Sequence, residues 1–531
     1  MSRVAAFRFA AVVATDLRLR LRQTSTLVVF LLLSALPYLW VPDPATGRAV
    51  FVIDDRRVLY DSAALGLATG VLCSVLLGLF GYYLVSHSLA RDLRTRCGWV
   101  IASTPVSNLE YLLAKVAGHV AFLATLGAGY LGCAMAMQLV RGEAALSLWR
   151  FVTPYLLLLP PTLVFVAAVA VLFESVPRLS GKLGDVLFFV GWLTFAGLTA
   201  ALEGTATPPR SGPGPTALLD VSGLGFVVQQ MRHQTGSDSF SFGATTFDPD
   251  LEPLVYPGLM AGGDWLLARL AAFIPALPVL LLAVVAFHRF DPARVRGAAA
   301  RRGRGWLERL EAAAAPLVRP LLRRALAGTG AGANFAGAVV SEAALILLLQ
   351  PLGALALAAV AVLALALPTP AVTGGLVPAS MAALGLILAG AAGREARHGT
   401  APLVAAVPTL DRRYVRWKLA AALTVGIAFT ALPILRLLAD APARVPSVLV
   451  GTVFVAGTAT SLGALGGPPK AFLAVFLTFL YLALNDGGRT PALDFAGFGG
   501  TAGPAVWSAY LLVTGAALAL AAAVRRWRRA T

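Results

Sequence analysis

Long apolar runs separated by polar segments set the pattern of this chain. Residues 26–41, 62–86, 112–138, 152–173, 186–202 and 265–287 form six runs, and 351–367, 372–392, 415–438, 446–465, 471–485 and 504–524 form six more. A helix needs roughly 20 apolar residues, with a range of about 17 to 25, to cross the core of a bilayer. The pattern therefore predicts an all-α, polytopic membrane protein of about 12 spans. Ahead of the first run, Arg3, Arg8, Arg18, Arg20 and Arg22 are set among Phe, Val and Leu. That stretch reads either as an amphipathic helix on the inner membrane surface or as the basic flank of the first span.

The polar segments assign sides. Segment 41–61 carries Asp43, Asp54, Asp55 and Asp61 against Arg48, Arg56 and Arg57 and is expected outside. The next polar segment, with Arg91, Arg94, Arg96 and Lys115 against Asp92 and Glu110, is expected inside, as is the Arg178 to Lys182 turn. Glu203 to Asp264 is rich in Gly, Pro, Ser and Thr with an acidic excess, which fits a long, flexible outer loop, and its middle, ALLDVSGLGFVVQQM, predicts a short surface helix. An Arg-rich linker over 289–333 follows, and Arg525, Arg526, Arg528 and Arg529 place the C-terminus inside with the N-terminus. All four lysines, Lys115, Lys182, Lys418 and Lys470, then share one side.

The two sets of six runs are copies. Residues 91–118 align without a gap on 394–421 at a constant separation of 303, which places Arg91, Asp92, Arg94, Pro105, Tyr111 and Lys115 on Arg394, Glu395, Arg397, Pro408, Tyr414 and Lys418. Most of these matches are polar or Pro, so a composition rich in Ala and Leu does not produce them. A weaker match at a separation of 327 places Gln23 on Gln350. The chain therefore reads as two tandem six-helix units, 1–288 and 334–531, joined by the linker.

With 58% hydrophobic and 13% charged residues the chain is too apolar for a soluble globule. Its net charge of +17 comes from Arg lying between apolar runs, which follows the positive-inside rule and excludes a nucleic-acid partner. Three Cys give neither a disulfide framework nor metal-ligand spacing. No small-residue cleavage site follows the first run, so that run is expected to stay as a span.

Little in the chain points to catalysis. Gly181-Lys182 lacks the upstream glycine of a phosphate loop, so no cradle for ATP and Mg is expected on this chain. His233, Asp238, Asp248 and Asp250 are scattered over the outer loop and read best as solvated residues. The spans lack the carboxylate relay of an ion-coupled carrier. His119, one turn beyond Lys115 and matched by Ala422, reads as a hydrogen-bonded interior residue or as a pathway residue. In the repeated loop, Ser103-Thr104-Pro105 is a start signal for a short helix. Ser107 and Glu110 have capping-box spacing and should start the helix that carries Tyr111 and Lys115. A short capped helix between two long ones reads as a lever that a soluble partner could push, or else as an ordinary basic loop whose charges reflect topology alone.

At these residues the chain resembles the membrane subunit of an ABC transporter of the type-2 exporter class. The second copy carries the resemblance through Glu395, Gly399, Thr400, Pro408, Arg412, Tyr414 and Lys418. The first carries it through Asp92, Ser103, Thr104, Pro105, Ser107, Glu110, Tyr111 and Lys115, but has Arg96-Cys97 in place of Gly-Thr. The resemblance implies that each loop, with Arg91 and Arg394 at its start, is a coupling helix docking on a separate ATPase subunit, in two copies. It also implies six spans per unit behind an interfacial connector helix, in a bacterial inner membrane, with ATP and Mg on the partner and further homodimerisation open. An alternative is a membrane enzyme acting on lipid-linked substrates, with its site at Arg210, His233, Asp238 and Asp250 of the outer loop. A component that binds an ATPase without transporting is a third.

Overall fold

The computed structural model describes residues 3–530 except 178, 181, 206–214, 261, 292–305, 329–334, 408–412, 466–468, 487 and 489. Pro408, Arg412, Arg210 and the middle of the expected linker thus lie outside the described residues. The chain divides into two compact units, Met1–Gly303 and Arg304–Thr531.

In the first unit, α1 (Arg3–Leu21) is followed by α2 (Thr24–Trp40), with Gln23 at the break. Strands β1 (Arg48–Ile53) and β2 (Arg56–Arg57) precede α3 (Ser62–Val85), which the Asp61 side chain caps at Ala64 N, 2.8 Å away. Two short helices follow, α4 (Ser88–Arg94) and α5 (Cys97–Ser103), then the long α6 (Asn108–Arg141), α7 (Leu148–Ser175) and α8 (Lys182–Gly204). The unit ends with α9 (Leu224–Thr235), β3 (Phe240–Thr246), α10 (Gly263–Ala271) and α11 (Ala276–Ala286).

The second unit opens with α12 (Trp306–Gly328), which buries Ala314, Ala315 and Val318 and packs on α13 (Phe335–Leu348) and α14 (Pro351–Ala366). Helices α13 and α14 meet at 97°, with Gln350 at the break, as Gln23 stands at the α1–α2 break. Then come α15 (Thr369–Leu388), the short α16 (Arg394–Arg397) and α17 (Ala401–Ala405), and the long α18 (Tyr414–Asp440), α19 (Val445–Ala464), α20 (Pro469–Asn485) and α21 (Pro504–Ala530).

Each of the twelve predicted runs is helical. Among the described residues nine helices are long and apolar enough to cross a membrane, and the bent α13–α14 pair brings the number to ten. The first and eleventh runs form α2 and α20, of 17 residues each. At 1.5 Å per residue each is about 25 Å long, under the roughly 30 Å of a bilayer core.

The segments of the first unit expected outside depart from the all-α expectation. Strand β1 pairs antiparallel with β2 and with β3, giving the order β2-β1-β3 and setting Phe51 against Phe242 with ring centroids 4.8 Å apart. Segment 203–264 is therefore folded over much of its length, where its Gly and Ser content suggested flexibility. The expected short helix is α9, and it lies on protein, burying Phe226, Val227 and Met231. Just before it, Asp220 to Gly223 dips between α3 and α7: Ser74 Oγ donates to Ser222 O (2.9 Å) and Thr162 Oγ1 to Val221 O (3.0 Å). Arg269 Nη1 donates to Asp220 O at 2.7 Å. Ser74 is 12 residues from the first residue of α3, Ser62, about 18 Å along the helix. Non-helical backbone is tolerated at such depth because hydroxyl and guanidinium groups satisfy its carbonyls.

Candidate functional site

Tyr111, Lys115 and His119 lie four residues apart and so share one face of α6. Tyr111, Lys115 and His119 are all buried, and α4 brings Arg91 and Asp92 against that face. Lys115 Nζ stands 2.7 Å from Asp92 Oδ2, which also accepts from the Tyr111 hydroxyl at 2.6 Å. On its other side Lys115 reaches Asp16 Oδ1 of α1 at 3.2 Å, and Arg91 binds the same oxygen.

The second unit repeats this arrangement. Lys418 Nζ lies 2.5 Å from Glu395 Oε1 and 2.7 Å from Glu342 Oε1 of α13. Tyr414 donates its hydroxyl proton toward Glu395 Oε2 at 2.8 Å, and Arg394 binds Glu342 Oε2 at 2.7 Å. In each unit a lysine of the helix formed by the third apolar run, α6 or α18, is thus held between a loop carboxylate and a carboxylate of the helix just ahead of the first run, α1 or α13. The tyrosines are covered differently: Phe287 stacks on Tyr111 at 5.7 Å, whereas the Arg525 guanidinium lies 3.6 Å from the Tyr414 ring centroid.

Sequence reading missed Asp16 and Glu342. Both are buried, at 2% and 5% exposure, and each is the only acidic residue of its helix. That solitary carboxylate in an apolar or basic helix was the available signal. The pairwise alignment hid the equivalence, because Asp16 falls on Ala343, one position past Glu342. Burial by itself would raise the Asp16 carboxyl, but the charges of Arg20 and Lys115 outweigh it and hold the group well below the usual carboxylate range. The same balance, with Lys418 and Tyr414 as the stabilising partners, lowers Glu395.

The clusters differ in charge. Glu342 and Glu395 balance Arg394 and Lys418, whereas Asp16 and Asp92 face Arg91, Lys115 and a third base, Arg20. Arg20 pairs with Asp16 at 2.9 Å and donates to Leu84 O (3.0 Å) and Val85 O (2.9 Å), the carbonyl end of α3 where a helix dipole favours a cation. His119 is fully buried, with Nε2 3.1 Å from Arg20 Nη2. Because a guanidinium only donates, Nε2 accepts, and the ring proton is on Nδ1. His119 is thus placed as a hydrogen-bonded interior residue.

The loops carry the remaining predicted residues. Ser107 caps α6, its Oγ accepting from Glu110 N at 3.1 Å, and Glu110 faces Arg8 of α1 at 3.6 Å. One expectation is corrected: the short helix α5 ends at Ser103-Thr104-Pro105 instead of starting there. Thr104 is extended (φ −88°, ψ 158°), as a residue before Pro prefers, and its Oγ1 donates to Ile101 O at 2.7 Å. In the second loop Gly399 has φ +70° and Thr400 N donates to Glu395 O at 2.9 Å, immediately before α17. Both short helices present apolar side chains outward. Val100 and Leu403, which are 303 positions apart, are 66% and 70% exposed.

The outer-loop residues do not converge. Asp238 pairs with Arg232 at 2.5 Å, Asp248 Oδ1 accepts from Asp250 N at 3.0 Å, and His233 is exposed. Among the described residues no three His, Cys, Asp or Glu are grouped to hold a metal ion. No family model, no curated protein and no solved structure matches the chain.

Proposed function

We propose that the chain is the membrane subunit of an ATP-driven exporter of the ABC type, with twelve spans in two tandem units and both termini on the inner face of a bacterial inner membrane. One observation carries this reading: each unit joins a short helix with an outward apolar side chain, Val100 or Leu403, to a buried ion cluster. That cluster is shared with α1 and α6 in the first unit and with α13 and α18 in the second. A partner ATPase pressing on α5 or α17 would move a tied set of helices, because separating the cluster's charges in a dry site costs several kcal/mol. ATP and Mg belong to the partner, in two copies, and closure of its dimer would supply the differential contacts that bias the bundle between two states.

The test is co-expression with an ABC ATPase subunit, co-purification, and ATP-driven substrate uptake into inverted vesicles. The intact protein retains the ATPase, while the folded Val100→Glu, Leu403→Glu double variant releases it and loses ATP-driven uptake. Full retention by that variant would sink the proposal. Among the described residues His233, Asp238, Asp248 and Asp250 do not converge, so no observation there favours the enzyme alternative.

A further inference from the structure

Glu174, at the end of α7, is wired to the first unit's loop. Its Oε1 accepts from Ser88 N at 3.0 Å, and its Oε2 from Leu89 N at 2.6 Å and Ala90 N at 3.4 Å. These are the opening amides of α4, which a helix leaves without intrahelical partners. The residue before them, His87, is in the left-handed region at φ +75° and makes no side-chain cap. A carboxylate from a different helix therefore does the capping, at the end of α4 where the helix dipole favours negative charge. Leu89, between the capped amides, packs in one core cluster with Ala167 and Val171 of α7 and with Tyr111, Leu112 and Val116 of α6. Arg91 and Asp92 follow within one turn, so whatever fixes the start of α4 fixes their approach to Lys115.

The second unit differs here. Its α19 has no acidic residue. Gly463 instead sits so close to the loop that a Cβ there would lie 2.8 Å from Ala392 Cβ and 3.1 Å from Gly393 N.

We propose that Glu174 is a positioning residue for the first loop, making α7 a further long helix tied to it, so that a push on α5 reaches α1, α6 and α7 together. The functional part of this rests on the reading of the loop as an ATPase dock. The geometric part stands without it.

Cys97, at the start of α5, is exposed, while Cys73 is buried. A nitroxide attached to Cys97 in a Cys133→Ser background therefore reports the order of the loop directly. Glu174→Ala should lose the immobilised component of the spectrum. Glu174→Gln, which keeps one acceptor oxygen, should lose only part of it, and Glu143→Ala at the other end of the unit should leave it unchanged. A folded Glu174→Ala protein with the parent spectrum would overturn the proposal. If that variant does not fold, hydrogen exchange in the parent protein decides. Slow exchange at Leu89 and Ala90 supports the cap, and exchange as fast as at a frayed helix end overturns it. Co-purification with an ABC ATPase separates the two layers. A loosened label with full ATPase retention keeps Glu174 as a positioning residue and sinks the docking reading alone.

Discussion

Arg96 and Gly399, 303 positions apart, both turn the chain through left-handed backbone, at φ +62° and +70°. Glycine adopts that region freely, whereas a side chain there costs about 1 kcal/mol. The first loop thus keeps the turn even where it lacks the glycine of the second. Arg96→Gly should raise the stability of the purified protein by about 0.5–1 kcal/mol, and Gly399→Ala should lower it by about 1 kcal/mol. Thermal melts of the two variants in one detergent check both signs.

Lys418 neutralises two buried carboxylates at once. Lys418→Met leaves Glu342 and Glu395 with Arg394 as the remaining base of the cluster, so the expected loss is about 3–5 kcal/mol. Adding Glu342→Gln to that variant should restore a large part of the loss, since one acid then again faces one base. A double-mutant cycle on unfolding midpoints measures the coupling, and additive losses would show that the charges do not interact.

Asp16 and Glu395 are both held below their ordinary range. A carboxyl group lowered in the folded protein binds protons more strongly when unfolded, so its contribution is complete above the unfolded value, roughly pH 4. It is lost as the pH falls from there toward the folded value. Unfolding midpoints should therefore drop as pH falls below about 4. Asp16→Asn should be less stable near neutrality and show a shallower acid decline.

Arg269 is 3% exposed and holds the dipping segment through Asp220 O, with Nε on Leu157 O at 3.1 Å and the Asp220 carboxylate 3.6 Å away. Arg269→Met removes the cation and leaves Asp220 buried, with an expected loss of about 3–5 kcal/mol. Limited proteolysis should then cut near residues 220–223, which the parent protein protects. An unchanged cleavage pattern would mean that the segment holds without the guanidinium.

Local pattern determined most of what could be read before the structure. Apolar run length predicted where the helices lie, and the Ser107 and Glu110 spacing placed the start of α6 at the right residue. The repeat brought Arg91, Asp92, Tyr111 and Lys115 and their counterparts to notice, because equal spacing along a helix means a shared face. The sequence by itself left out every partner that arrives from far along the chain. Asp16 is 99 residues from Lys115, and Glu342 is 76 from Lys418. Glu174 is 85 from Leu89, and strand β3 lies almost two hundred residues beyond β1. Helix periodicity is set by hydrogen bonds four residues apart and is written locally. Which carboxylate meets which lysine depends on how the helices fold back on one another, and only the tertiary structure decides it.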